Sequence, residues 1–378
     1  MKKVLIAHQS SIPHYRVPFY NALERVRSEE WTFDVVFDPT EFETPIFFKE
    51  PLDQIDFAFS LLETRTLSTQ VSGKGIHYQT FWKQAGRYDL IIVENAVNNL
   101  TYPLCHFHQL HGKKIAFWGH GKDFNVANPG AMKRASEHVK MWQTRRADGF
   151  FAYTPGIKEY LVKRGVDPNR VFVVNNTIDI EEQRTYFDKY RSQREEIRKR
   201  LGIGSGPVLL FVGRFTKNKR IDFLLEAFSY LQRAEPQSHL LLVGGGDFSV
   251  EQYETKNVHC LGTIVDLDEL APIYAASDLF AFPGAIGLAP LQALCYDLPV
   301  ITLESTMHKP EVEYLTSANS IILPSNLSPK EYASELLNLT TDGGRLRDLR
   351  SQIWPSIRHL TIEQMAKNFA SGVTSICF

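Results

Sequence analysis

The sequence has 378 residues, 43% hydrophobic and 22% charged, which is enough apolar material for two globular cores of ordinary size. Its 42 Lys and Arg against 43 Asp and Glu give a formal net charge of −1, which excludes bulk attraction to nucleic acid but leaves room for a local basic face. Four cysteines with no close pair exclude a disulfide framework and suit a reducing cytoplasm.

Met1-Lys2-Lys3 followed by Val4-Leu5-Ile6-Ala7 resembles a signal peptide only briefly, because His8-Gln9-Ser10-Ser11 ends the apolar run; a first buried strand is expected instead. Short runs rich in Val, Ile, Leu and Phe then recur, each followed by a helix-like stretch. In the first half they are Val4–Ala7, Phe33–Phe37, Leu90–Glu94, Lys114–Trp118, Gly149–Tyr153 and Val171–Asn175. Between Ile178 and Gly206 the chain turns polar, with a helical run Arg191–Leu201 stopped at Gly202 and a strand expected after Pro207. The second series is Val208–Gly213, Leu240–Gly244, Val258–Gly262, Leu279–Phe282, Val300–Thr302 and Ser320–Leu323. Around Leu279 to Leu291 lies the longest uncharged apolar stretch, broken by Gly and Pro and short of the ~20 residues that cross a membrane. Near-continuous apolar strands alternating with helices predict parallel sheets covered on both faces. The expected fold class is therefore α/β, with two Rossmann-like doubly wound domains facing a cleft: residues 1–180, a linker 181–206, residues 207–355, and a C-terminal helix in 356–378 that crosses back to the first domain. A capping box, Ser328-Pro329-Lys330-Glu331, marks one helix start near the end.

In open α/β sheets, ligands bind beyond the carboxyl ends of the strands, so the residues just after each strand are the candidates. After the first strand of the second domain, Gly213-Arg214-Phe215-Thr216-Lys217-Asn218-Lys219 places cations at the mouth of the cleft; Arg214 and Lys219 suit a diphosphate, and a solvated basic turn is the plainer reading. After the Leu279–Phe282 strand, Pro283-Gly284-Ala285-Ile286-Gly287-Leu288-Ala289 leads into an apolar helix. The helix's first N–H groups, near Gly287 to Ala289, favour an anion, and Gln292 one turn further in offers a ribose hydroxyl both a donor and an acceptor. Glu311 follows the Val300–Thr302 strand and reads equally as a site carboxylate or a surface charge.

These segments together resemble the family 4 retaining glycosyltransferases of the GT-B fold. The likeness is carried by Gly213-Arg214 with Lys219 and Leu224-Leu225-Glu226-Ala227-Phe228, by Leu241-Leu242-Val243-Gly244-Gly245-Gly246, by Ala276-Ser277-Asp278-Leu279-Phe280, and by Leu288 to Leu294 before Leu298-Pro299-Val300-Ile301. In the first half, Ile12-Pro13-His14-Tyr15-Arg16 with Phe19-Tyr20 is similar to an acceptor-side loop, and Phe117-Trp118-Gly119-His120-Gly121 to the segment bearing that family's mid-domain histidine. The resemblance implies transfer of a sugar from a nucleoside-diphosphate sugar to a glycan or lipid-linked glycan, with retention of configuration. Arg214 and Lys219 would hold the diphosphate, His120 would hydrogen-bond near the donor sugar, Gly213, Gly284, Gly287, Leu288, Ala289, Gln292 and Glu311 would line the donor, and Ser10, Ser11, His14 and Arg16 would face the acceptor. Protein cations stand where other transferases use a metal, so neither metal nor cofactor is expected.

One departure is large. The family has two glutamates eight positions apart, and the alignment on Gly287-Leu288 puts Gly284 and Gln292 there. That pattern fits a subfamily with a Pro-Gly-x-x-Gly-Leu loop, and it equally fits a GT-B protein that binds donor or glycan without turnover. A nicotinamide dehydrogenase would need a glycine fingerprint after Val4–Ala7, which His8-Gln9-Ser10-Ser11-Ile12-Pro13 lacks. The basic run from Lys133 to Arg146, which includes Met132, Met141 and Trp142, reads either as a solvated helix or as a membrane-facing one. The expected location is the cytoplasm, with peripheral contact at the inner face of the membrane through a lipid-linked acceptor as one form of it.

Overall fold

A computed structural model of the chain describes residues 1–8, 12–38, 57–71, 74–96, 98–124 and 130–378. They form two compact units, Met1–Asn176 with Ile362–Phe378, and Thr177–Thr361.

The first unit is built from β1 (Lys2–Ala7), α1 (Val17–Val26), β2 (Trp31–Phe37), β3 (Ser60–Glu63), an antiparallel hairpin of β4 (Thr66–Val71) and β5 (Lys74–Gln79), α2 (Trp82–Ala85), β6 (Leu90–Glu94), α3 (Thr101–Cys105), β7 (Lys114–Gly119), α4 (Ala131–Arg146), β8 (Gly149–Ala152), α5 (Pro155–Val162) and β9 (Val171–Val173). Seven strands pair in parallel in the order β3-β2-β1-β6-β7-β8-β9. All six strands expected here are present. β3 and the β4–β5 hairpin were not foreseen, since Ser60–Glu63 and Thr66–Val71 are only partly apolar and lie on an edge or outside the sheet.

The second unit comprises α6 (Ile180–Tyr190), α7 (Arg194–Arg200), β10 (Val208–Val212), α8 (Ile221–Ala234), β11 (His239–Val243), β12 (Val258–Cys260), α9 (Leu267–Ala276), β13 (Leu279–Ala281), α10 (Ala289–Cys295), β14 (Val300–Leu303), β15 (Ser320–Leu323), α11 (Pro329–Thr341) and α12 (Gly343–Ile357). Its six strands are parallel in the order β12-β11-β10-β13-β14-β15. Strands such as Val208–Val212 and His239–Val243 are buried almost end to end, as sheets covered on both faces require. Ser328 caps α11 in a reciprocal box with Glu331. The chain then returns to the first unit as α13 (Ile362–Cys377), which packs on α1 through Met365, Phe369 and Val373.

The expected linker, 181–206, is not one. α6 and α7 pack on α9, and the second unit begins at Thr177 and runs through Thr361 rather than spanning 207–355. The physical reason is an ion-pair cluster that the polar composition concealed. Asp278 accepts from Arg194 at 2.6 Å and Arg198 at 2.6 Å on α7, from Arg350 at 3.0 Å on α12, and from the Val208 backbone at 2.9 Å. Burial alone would push the Asp278 carboxyl up, but the three guanidiniums hold it below its ordinary value. Its contribution to stability is therefore present above about pH 4 and lost as pH falls through the lowered pKa. Asp278→Ala leaves the buried Arg198 uncompensated and is expected to cost about 3 kcal/mol, read as a lower urea midpoint. An unchanged midpoint would remove this cluster as the anchor of α7.

Candidate functional site

In both sheets the strand order reverses once. In the second unit the switch lies between β10 and β13, in the first between β1 and β6, and each opens a crevice at the carboxyl ends of its strands.

At the β10–β13 switch, Gly213 and Arg214 follow β10 directly, with Arg214 exposed. A short 3₁₀ turn, Lys217–Lys219, carries the chain to α8 through Arg220, whose left-handed backbone (φ 55°) makes the corner. The loop after β13 lies directly on this turn. A Cβ built on Gly284 would come within 2.3 Å of the Lys219 backbone carbonyl carbon and 2.4 Å of its Cα, so no side chain fits there. Ala285 N–H donates to Asn218 O at 2.8 Å, and Lys219 Nζ donates to Ala285 O while sitting 5.0 Å over the Phe282 ring. Ile286 N–H donates to His308 Nδ1 at 3.1 Å, His308 Nε2–H donates to Leu303 O at 2.8 Å, and Lys309 N–H returns to Ile286 O at 2.8 Å. Three strand-end loops are thus laced together. The sheet end beside them is equally tight, since a Cβ on Gly244 would meet Gly213 O at 1.9 Å.

Lys219 is the electrostatic centre of this site. Burial, then the charges of Lys309 and Arg214, lower its pKa to about 8. Burial and both neighbouring cations act against its positive charge, a repulsion that an anion seated there would relieve. Gly287 lies beside Lys309, whose Cγ would be 3.9 Å from an added Cβ, and Leu288 and Ala289 continue into α10. A cavity of about 580 Å³ opens along the same loop, with Asn218, Arg220, Gly284, Ala285, Ser305 and Ser325 in its wall.

Other expected donor residues sit differently. Gln292 donates to Gln183 at 3.0 Å and accepts from Tyr274 at 3.3 Å, which leaves one N–H and one lone pair for a ribose. Glu311 is buried in a 3₁₀ turn, Pro310–Tyr314, and is no surface charge. Among the described residues no group of three or more His, Cys, Asp or Glu is placed to hold a metal.

In the first unit, Ser10 and Ser11 and the His14 side chain lie outside the described residues. Arg16, expected to face an acceptor, is buried: it donates to Asn176 and, at 3.4 Å, to Tyr153, approaches Met365 Sδ at 3.7 Å, and lies 4.9 Å over Trp118. It ties the loop before α1 to the sheet and to α13, because a guanidinium can stack and donate at once. His120 follows β7 and stands edge-on to Tyr153 at 4.6 Å. The switch point itself holds a pair the sequence reading passed over. His8, just past β1, hydrogen-bonds Glu94 at 2.9 Å and the Tyr20 hydroxyl. His8 was discoverable as the first residue beyond the first strand; Glu94 was hidden as the last residue of another.

Two family descriptions match the sequence, "Glycosyl transferases group 1" over residues 206–342 and "Glycosyltransferase Family 4" over residues 72–182. Each match covers about a third of the chain, one mainly in each unit, and both are to glycosyltransferases; the fold is GT-B. Among its relatives, a D-inositol 3-phosphate glycosyltransferase of Rhodococcus opacus is 29% identical over 251 residues, 61% of this chain and 54% of that one. A mannosylfructose-phosphate synthase of Agrobacterium fabrum is 29% identical over 159 residues, 38% of this chain and 32% of the relative. The chain thus spans about a third to a half of the length of these curated relatives. In fold, Anabaena Alr3699/HepE, solved with UDP, superposes with a TM-score of 0.70 at 15% identity, covering 99% of this chain and 100% of that one. A sucrose-phosphate synthase of Thermosynechococcus elongatus gives 0.69 at 17% identity, with 98% of each chain covered.

In this GT-B chain the glycine at position 284 is required by packing. Gly284→Glu, which restores the familiar carboxylate, is expected to lower the melting temperature and weaken nucleotide binding, because the loop must lift from Lys219. A variant that melts normally and binds more tightly would show that the close approach is dispensable.

Proposed function

We propose that this chain transfers a sugar from a nucleoside-diphosphate sugar to a glycan or lipid-linked glycan, with retention at the anomeric carbon and without a metal. The observation that carries the reading is Lys219, half-buried at the switch point, its charge opposed by Arg214 and Lys309 and its ammonium held by the Ala285 carbonyl. A diphosphate seated there relieves the repulsion, and the same cations stabilise the charge that builds on it as the glycosidic bond breaks. The donor sugar extends along the Gly284–Ala285 loop, where backbone and the Asn218 and Ser305 side chains replace the missing carboxylate. The UDP-bound neighbour of like fold supports a uridine nucleotide as the first to try.

One observation favours a second reading, binding without turnover: Gly284 has no room for the glutamate that resemblance assigns to the reacting sugar. The two readings separate in a single set of measurements. Thermal shift against nucleoside diphosphates and their sugars, with and without EDTA, is expected to show a rise that EDTA leaves unchanged and Arg214→Ala abolishes. Donor hydrolysis or transfer, followed by release of the nucleoside diphosphate, then reports turnover; binding with no release under any acceptor supports the second reading.

The pH dependence has a definite sign. Lys219 loses its proton near pH 8 in the free protein, and a bound dianion raises that pKa. Affinity is therefore expected to be highest below pH 8 and to fall as pH rises above it, in a range where the phosphate itself, titrating near ~6, no longer changes. Calorimetry in buffers of different ionisation enthalpy checks this through proton uptake on binding at pH 8.5. No uptake would detach Lys219 from the diphosphate.

A further inference from the structure

The flank of the first unit formed by α4 and the turn before β7 is an exposed surface of one composition. α3 and α4 cover the same face of the sheet, burying Tyr102, Cys105, Met141 and Ala147 in a single core cluster. The short 3₁₀ helix His106–His111, which follows α3, is joined to the end of α4 by Gln109, whose amide donates to Arg146 O at 3.1 Å and to Asp148 at 3.0 Å. Outward from this joint stand Phe107 at 60% exposure, Leu110 at 81%, Val139 at 51% and Trp142 at 56%. In a 3₁₀ helix residues three apart share a face, and so do residues three apart on an α-helix, so each pair points one way.

The exposed charges of α4 from Arg134 onward are all of one sign. From Arg134 onward the exposed positions of α4 are Arg134, Ala135, His138, Val139, Trp142, Arg145 and Arg146, with no carboxylate among them. Glu137 is half-buried and paired with Lys140 at 3.5 Å, and Asp148 is turned to the Ile115 N–H at 2.9 Å. Arg146 stacks on Trp142 at 5.0 Å, which keeps the aromatic ring and the cation at the same level. On the opposite face of the sheet the corresponding apolar side chains, Met365, Phe369 and Val373 of α13, are fully covered. Four large apolar groups left in water are costly unless something takes them up, and an aromatic beside arginines, with the adjoining acids Glu137 and Asp148 already paired, is the pattern that enters the headgroup layer of an anionic bilayer.

We propose that this flank is a docking surface for an anionic lipid membrane, with Phe107, Leu110, Val139 and Trp142 inserted at the headgroup level and Arg134, Arg145 and Arg146 on the phosphates. The inference stands on this surface alone and does not depend on the transferase reading. Of the two readings of the Lys133–Arg146 run, it takes the membrane-facing helix. Insertion is shallow: no helix of the described residues is long and apolar enough to cross a membrane.

The test is sedimentation of the full chain with vesicles of phosphatidylcholine alone and of phosphatidylcholine mixed with phosphatidylglycerol. The expected result is binding to the mixed vesicles and little to the neutral ones, weakened by salt. Leu110→Glu with Trp142→Glu, and separately Arg145→Glu with Arg146→Glu, should each reduce partitioning roughly tenfold or more. These positions are exposed, although Arg145 also donates to Arg164 O at 2.7 Å, and an unchanged melting temperature and nucleotide response show that each variant is folded. Absence of binding to either vesicle overturns the proposal. So does equal binding by the folded variants. So does a concentration-dependent dimer, seen by light scattering and removed by Leu110→Glu, which would assign the surface to a second copy of the chain.

Discussion

The site of the second unit depends on one contact: the backbone of Gly284 against the backbone of Lys219. It brings the loop after β13 onto the turn after β10, and from it follow the Asn218–Ala285 bond, the capture of Lys219 Nζ by the Ala285 carbonyl, and the burial that lowers the pKa of that lysine. A side chain at 284 would open this seam and return Lys219 to water, where it would be an ordinary surface cation. The missing glutamate and the perturbed lysine are therefore one structural fact seen from two sides.

The first unit handles its cation in the opposite way. Arg16 is buried among Trp118, Tyr153, Asn176 and Met365 with its donors consumed by the protein. It fixes the geometry around the β1–β6 switch, where His8 and Glu94 meet, and leaves the solvent-facing chemistry to others. A guanidinium suits such a place because its plane stacks while its edge donates, and it stays charged when buried.

How far the sequence could be read follows from which signal each feature leaves. Parallel strands buried on both faces leave unbroken apolar runs, so all twelve expected strands of the two sheets are present and the GT-B fold was legible. Edge elements such as β3 leave no such run. The helices α6 and α7 read as a linker because their anchor is ionic: Arg194 and Arg198 look like solvated charge until Asp278, some eighty residues on, is brought to them by the fold. The candidate site shows the same limit. Position after a strand was enough to single out Arg214, Lys219 and Gly284, but not to show that Gly284 excludes a side chain, that Arg16 is tied up internally or that Gln292 is partly engaged, since those depend on contacts between distant segments.

The return of α13 to the first unit has a consequence for how the chain is made. Phe19, Trp118 and Phe151 are made before the second unit, yet the helix that shields them, through Phe369 stacked on Phe151 at 4.2 Å, is made only after it. The second unit, continuous from Thr177 to Thr361, can close while the first still waits with one side of its sheet bare. The nascent chain therefore passes through a stage in which the later-made unit is complete and the earlier-made one is sticky, the interval in which a chaperone has most to hold.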